Sequence, residues 1–213
     1  IREDVNKMPN EAIGWENTCE RYVAFLDIMG FREMVFRENH EKIKEMFECL
    51  RPTIESIRKE ANEIIDRGSI KMGNKQATPS TIFPVSFSDS IVLFSSNDSN
   101  QSAMYIIVNV AMIMSKAIEN GIAMKGAIAY GEMTAEIEEG KSLYFGKPLI
   151  DAFELQKELE LYSAVLHHTA EKALAESKTK FVLNSDLVKK YLVPMKSGII
   201  SHYVVNWQFF TDK

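Results

Sequence analysis

Cysteine is nearly missing from this chain: its 213 residues include two, Cys19 and Cys49. Neither sits in a Cys-x-x-Cys or Cys/His grouping, so a zinc cluster is excluded and both read as free thiols of a reducing cytosol. Basic excess is missing too. With 25 Lys and Arg against 30 Asp and Glu, a formal charge of -5, no face announces itself as a nucleic-acid track. A polyphosphate ligand would need positive help against the protein's own field, and metal ions are the obvious source. Long hydrophobic runs are also missing. The longest, 104–114, is broken by Asn109 and is far shorter than the ~20 residues a bilayer span requires. We read no membrane span and no secretory signal.

What is present suits one compact domain: 46% of residues are hydrophobic, enough for a full core at this length. Residues 1–18 are polar and without clear period, a lead-in or a dimer-exchanged arm, and the domain is expected over 19–213. The run 21–28, RYVAFLDI, is short, continuous and apolar, as a strand covered on both faces must be. Its one charged interior residue is Asp27. From 39 to 67 apolar residues recur at helical spacing, with Pro52 as a kink or boundary, and 68–80 reads as a loop. Two β-rich runs, 81–87 and 91–95, flank Ser88-Asp89-Ser90 and read as a hairpin with Asp89 in its turn. An apolar helix over 101–119 ends at Asn120-Gly121. A strand over 122–133, interrupted by Gly126 and Gly131, a short strand at 142–145, and a helix ending near Leu159 follow. Strand and helix then alternate to a last strand at 203–209. The order is that of an α/β (α+β) chain: strand, helix, hairpin, helix, strand and more.

The chemistry rests on two carboxylates. A carboxylate buried in an apolar strand costs several kcal/mol unless a cation or strong donors compensate, so Asp27 needs a partner. In a βαββαβ arrangement the hairpin runs beside the first strand and can bring Asp89 next to Asp27. Singly, Asp27 reads as a helix N-cap and Asp89 as a turn residue; in this order and with these flanks they read as a metal pair. Mg²⁺ takes oxygen ligands from one or two carboxylates, phosphates and water, and the carbonyl of Ile28 is the natural third protein ligand. Two such ions can stabilise both the attacking and the leaving oxygen of an in-line displacement. Met29, Gly30 and Phe31 open a helix whose free amides can accept triphosphate oxygens, with Gly30 allowing close approach.

The segments YVAFLDIMGF, SFSDSIVLF, KGAIAYGEM and YFGKPLIDAFELQ together resemble the class III adenylyl and guanylyl cyclase catalytic domain. They resemble more closely the small bacterial Pycsar cyclases, which make cyclic pyrimidine nucleotides. The resemblance runs from about 21 to 156 and is carried mainly by the first two segments. It implies a palm-type βαββαβ fold with a mainly antiparallel central sheet flanked by helices. It also implies Mg²⁺ or Mn²⁺ as a two-ion cofactor, a nucleoside triphosphate substrate, a head-to-tail homodimer with sites at the interface, and a separate cyclic-nucleotide-responsive effector in antiphage defence. The reaction implied is attack of the ribose 3′-hydroxyl on the α-phosphorus with departure of pyrophosphate.

Departures from the family pattern sharpen this. The glycine-led helix ordinarily carries an Asn and an Arg that steady the transition state, but Ile150 and Glu154 stand there. The purine-reading Lys and Asp positions fall near 82–85 and at Leu143, where neither residue type occurs, which leans toward CTP or UTP. Matching Lys125-Gly126 to the Arg-Gly of the small cyclases makes Lys125 a cation for the phosphates, against the reading of a solvated strand-end lysine. By the same resemblance Lys196 could reach a terminal phosphate, but it reads rather as a solvated loop lysine; His167 and His168 read as structural, and Met104, Met112 and Met114 as core or dimer packing. Two rival functions stand: a degenerate cyclase-like module that binds nucleotide without turnover, and a polymerase or diguanylate cyclase relative, whose acidic hairpin signature is replaced here by SFSDS.

Overall fold

The computed structural model describes residues 16–67, 81–138, 141–177 and 180–211; the loop expected at 68–80 and most of the lead-in lie outside them. The apolar run around Asp27 forms β1 (Thr18–Ile28), and its neighbours explain its lack of alternation. Tyr22, Ala24, Leu26 and Ile28 point into the main core, while Val23 belongs to a second cluster with Phe83, Phe94 and Met133. A strand buried on both faces has no polar side to show.

β1 lies between β3 (Ser90–Ser95) and β4 (Met124–Glu138), antiparallel to both. β2 (Ile82–Phe87) pairs with β3 as the outer arm of the hairpin. On the other side β4 pairs in parallel with β6 (Ala164–Leu166), followed by β8 (Gly198–Val205) and β7 (Val188–Met195). β5 (Lys141–Gly146) folds back on the far end of β4. The sheet is therefore mainly antiparallel, as expected, with one parallel pair that needs the helical crossover between β4 and β6.

Helices cover both faces. After β1 come the short α1 (Phe31–Arg37) and the long α2 (His40–Arg67), and α3 (Asn100–Glu119) joins β3 to β4. α2 and α3 bury Leu50, Ile57, Ile106, Ile107, Val110 and Met114 against the Leu26 side of the sheet. Ser99 caps α3 by accepting from the Ser102 amide, and its C-terminus runs out at Asn120 and Gly121, the latter left-handed at φ 70°. Among the described helices α3 alone is long and apolar enough to cross a membrane, and more than half of that stretch is buried inside the fold. α4 (Lys147–Glu158) covers the opposite face, where Ala152 and Leu159 meet Ala127, Ala129 and Val165. α5 (His168–Glu176) follows β6.

Three local expectations shift. α2 runs through Pro52 without breaking, because Pro52 is exposed and water can reach the carbonyl that it leaves without an amide donor. β4 continues past both glycines to Glu138. The strand expected at 203–209 ends at Val205, and Trp207–Phe210 form a single 3-10 turn whose Trp207 and Phe210 pack on the main core.

Candidate active site

Two hydrogen-bonded strands hold Asp27 in place. In register it faces Ser90 of β3 on one side and Lys125 of β4 on the other. Residues directly opposite in adjacent strands share a face, so Asp27 and Lys125 lie on the α4 side of the sheet. The hairpin closes in two residues, Ser88 and Asp89, with Phe87 opposite Ser90. Ser88 takes the positive φ, 55°, that such a tight turn asks of its first central residue. The Ile28 amide donates to the Asp89 carbonyl at 3.1 Å, fastening the hairpin tip to the end of β1, and the Met29 amide donates to the Ala123 carbonyl at 2.8 Å. Asp27, Asp89 and Lys125, proposed from the sequence as one site, thus meet at one end of the sheet. Asp27 is not a helix cap: the residue that caps α1 is Gly30, in the left-handed region at φ 71°, where a side chain would strain the backbone.

The charges are in tension. Burial pushes the Asp27 carboxyl above its usual range, the nearby Asp89 carboxylate pushes it further, and Lys125 and a hydrogen bond from Ser90 only partly oppose this. Lys125 is held below its usual range, first by burial and then by Lys196, with Asp27, Glu158 and Glu160 opposing. Its Nζ donates to the Leu159 carbonyl at the end of α4, 3.3 Å away. The carboxylate side of the site calls for a cation and the lysine side for an anion.

Lys196, weighed from the sequence as a solvated loop lysine ahead of a phosphate contact, stands at the site. It is exposed, yet it shares a cleft of about 390 Å³ with Lys125, Met29, Leu159, Glu160 and Tyr162. The β7–β8 hairpin is bent to this spot by backbone contacts: the Lys196 amide donates to the Glu158 carbonyl at 2.9 Å and Met195 bridges Leu159. Such non-local backbone pairing leaves no mark in the local sequence.

Other candidates fall elsewhere. His167 caps α5, accepting from the Thr169 amide, and the His168 ring lies tilted beside it with centroids 4.0 Å apart. Met114 is core, and Met112 is partly exposed. On α4, Ile150 is exposed and Glu154 pairs with Lys157 at 3.2 Å, so neither position offers an Asn or Arg to a ligand. Ile82 and Phe83 are buried in hydrophobic clusters and Leu143 is exposed on β5.

The donor set fits a hard divalent cation. Two half-buried carboxylates, one of them pushed toward its neutral form by the other, are what a metal ion relieves. With the Ile28 carbonyl they supply only oxygen, the preference of Mg²⁺ and Mn²⁺. Among the described residues no third His, Cys, Asp or Glu joins them, which leaves positions for phosphate and water.

A stability prediction arises here. A carboxyl whose folded pKa is raised binds its proton more tightly in the folded state, so its contribution is favourable at low pH and is lost as pH rises through the folded value. Asp27→Asn, in chelator at pH 7, is therefore expected to be more stable than wild type by up to about 1 kcal/mol, discounted for the solvent the half-buried group keeps. That gain should shrink as pH falls below the folded value. Denaturant melts at pH 4 and pH 7 check it, and a loss of stability at pH 7 would contradict it.

No family model and no curated protein sequence matches the chain. Solved structures do. The guanylate cyclase domain of RhGC from Catenaria anguillulae, in complex with GTP, aligns over 89% of this chain and 98% of its own length, at 12% identity and TM-score 0.57. The adenylyl cyclase CyaB from P. aeruginosa aligns over 88% and 94%, at 15% identity and TM-score 0.51. The non-canonical dimeric guanylyl cyclase domain of the RhoGC fusion protein from Blastocladiella emersonii aligns over 89% and 98%, at 13% identity and TM-score 0.54. The chain has the fold of adenylyl and guanylyl cyclase catalytic domains.

Proposed function

We propose that this chain is a metal-dependent nucleotidyl cyclase that converts a nucleoside triphosphate, CTP or UTP, to its 3′,5′-cyclic monophosphate and pyrophosphate. One observation carries the reading: in a cyclase-domain fold, Asp27 and Asp89 are fastened together at one sheet end beside a desolvated lysine. Asp27, Asp89 and the Ile28 carbonyl would hold Mg²⁺ or Mn²⁺, two ions that supply charge for both the attacking and the leaving oxygen. Around them the backbone amides of Gly30 and Phe31 receive the triphosphate, the Met29 amide expected to join them being taken by the Ala123 carbonyl, and Lys125 meets the charge that collects on the departing pyrophosphate. The bond from the ribose 3′-oxygen to the α-phosphorus forms as the α–β bridge bond breaks, and the hydroxyl proton leaves to water or to substrate, since no histidine stands at the site. Preference for a pyrimidine rests on the core and exposed apolar residues found where purine readers would be. Residues 19–213 act as one catalytic domain, and the product serves a separate cyclic-nucleotide-responsive effector in cytoplasmic defence against phage.

The test is incubation with each of the four triphosphates and either metal, with products resolved by mass. A cyclic pyrimidine monophosphate is expected; pyrophosphate without any cyclic product counts against the reading. Lys125→Ala is expected to lower kcat/KM by about 10- to 100-fold, as for losing one hydrogen bond to a charged group, and an unchanged value would remove Lys125 from the site.

The active form is a homodimer with sites at its interface. β5 and α4 expose Phe145 (54%) and Ile150 (62%) with Leu143 and Phe153, an apolar surface suited to a second copy. Ile150→Glu should convert a species of twice the chain's mass into a monomer by light scattering, with loss of turnover; an unaltered dimer would place the interface elsewhere. The missing Asn and Arg on α4 favour a second reading, a binder without turnover. Tight triphosphate binding in calorimetry by a protein inert with every metal would select it.

A further inference from the structure

We propose that the cleft between α1 and α2 is a binding site for a small amphiphilic anion, a molecule with an apolar body and one carboxylate or sulfonate head. α1 lies at the surface. None of its residues is buried, and Val35 and Phe36 are 48% and 81% exposed. Phe31 meets Phe47 of α2 edge to face, with centroids 5.7 Å apart, and Phe31 and Met34 rest on the main core. Beside that contact opens a cleft of about 560 Å³, floored by Phe31, Val35, Ile43 and Phe47.

The rim selects the charge. Glu38, His40, Lys44 and Arg51 line it. Glu38 is already neutralised by Lys42 at 2.8 Å, and Arg51 leans on Glu48 at 2.8 Å. Lys44, exposed on α2, enters none of the ion pairs among the described residues. In a chain of net charge -5, this apolar hollow with an unpaired ammonium at its lip attracts a negative head and rejects a positive one. The length selects a small molecule. Seven helical residues make α1 about 10 Å long, too short to clasp a partner helix of several turns but enough for a chain of roughly ten carbons or a fused ring pair. An occupant that bridges Phe31 and Val35 to α2 would also order α1, which follows directly on the Gly30 turn.

This inference stands apart from the cyclase reading, because its test needs no turnover. 8-Anilinonaphthalene-1-sulfonate is titrated into the full chain by fluorescence, with decanoate and decylamine as competitors, and amide hydrogen exchange is followed over 31–37. Saturable one-site binding is expected, displaced by decanoate and not by decylamine, with slower exchange over 31–37. Lys44→Glu, at an exposed position, should weaken binding about tenfold or more with an unchanged circular dichroism spectrum. Val35→Trp, which fills the cleft, should abolish it. Binding that survives both substitutions, displacement by decylamine as readily as by decanoate, or no change in exchange over 31–37 would overturn the proposal.

Discussion

If the chain is the proposed cyclase, Asp27→Ala is expected to abolish cyclic nucleotide formation while leaving the protein folded: product should fall at least a hundredfold with either metal, and the melting temperature should hold or rise. The magnitude follows from removing a ligand whose loss takes away much of the charge facing the reacting phosphate, since removal of a single preorganised electrostatic group costs about 10²–10³-fold. The second half follows from the electrostatics. The Asp27 carboxyl is pushed toward its neutral form by burial and by Asp89, so without a cation its charge opposes folding. A purely structural aspartate behaves in the opposite way, losing stability when truncated and keeping whatever activity the fold retains. Measured together on one preparation, turnover and melting temperature separate the two, and an active or a markedly destabilised variant would remove Asp27 from the proposed role.

Gly126→Ala should be strongly destabilising for a single added methyl. Gly126 lies opposite Leu26 in the β1–β4 pair. A Cβ built there would sit 2.3 Å from Leu26 Cδ2, 2.7 Å from the Phe25 carbonyl oxygen and 3.3 Å from Leu26 Cα. Leu26 is fully buried and cannot swing away, and the other two atoms are backbone, so β4 itself must move off β1. Overpacking of this kind costs roughly 1–3 kcal/mol, at the top of the range where backbone is the obstacle, or about 6–12 °C in melting temperature for a chain of this size. The displaced segment carries Lys125, so turnover should fall further than stability accounts for. A variant that melts within about 1 °C of wild type would show that the strands separate more easily than this contact implies.

The sequence carried the sheet core because its signals there are local or pairwise. An aspartate inside RYVAFLDI and another in SFSDS mark two strands and a turn, and antiparallel pairing does the rest. The site's outer wall was not legible. Lys196 reaches the cleft through the Lys196–Glu158 backbone hydrogen bond and the Met195–Leu159 bridge, contacts between segments almost forty residues apart that use no distinctive side chain. The ending of β8 was misjudged for a related reason: aromatic residues at 207 and 210 resemble strand continuation, but they are apolar because the 3-10 turn packs on the core. Pro52 was weighed as a boundary on chemistry alone, whereas its effect depends on which side of α2 meets water.

Asp27 and Lys125 are held in register by neighbouring hydrogen-bonded strands with Asp89 fastened beside them, whereas the other parts that could touch a ligand sit on the margin: α1, the end of α4 and the Lys196 hairpin. Such a division lets mutation redecorate the margin and alter which molecule is accepted without disturbing the anchored carboxylate. Descendants of this chain with new preferences should therefore differ at the periphery and agree at the centre.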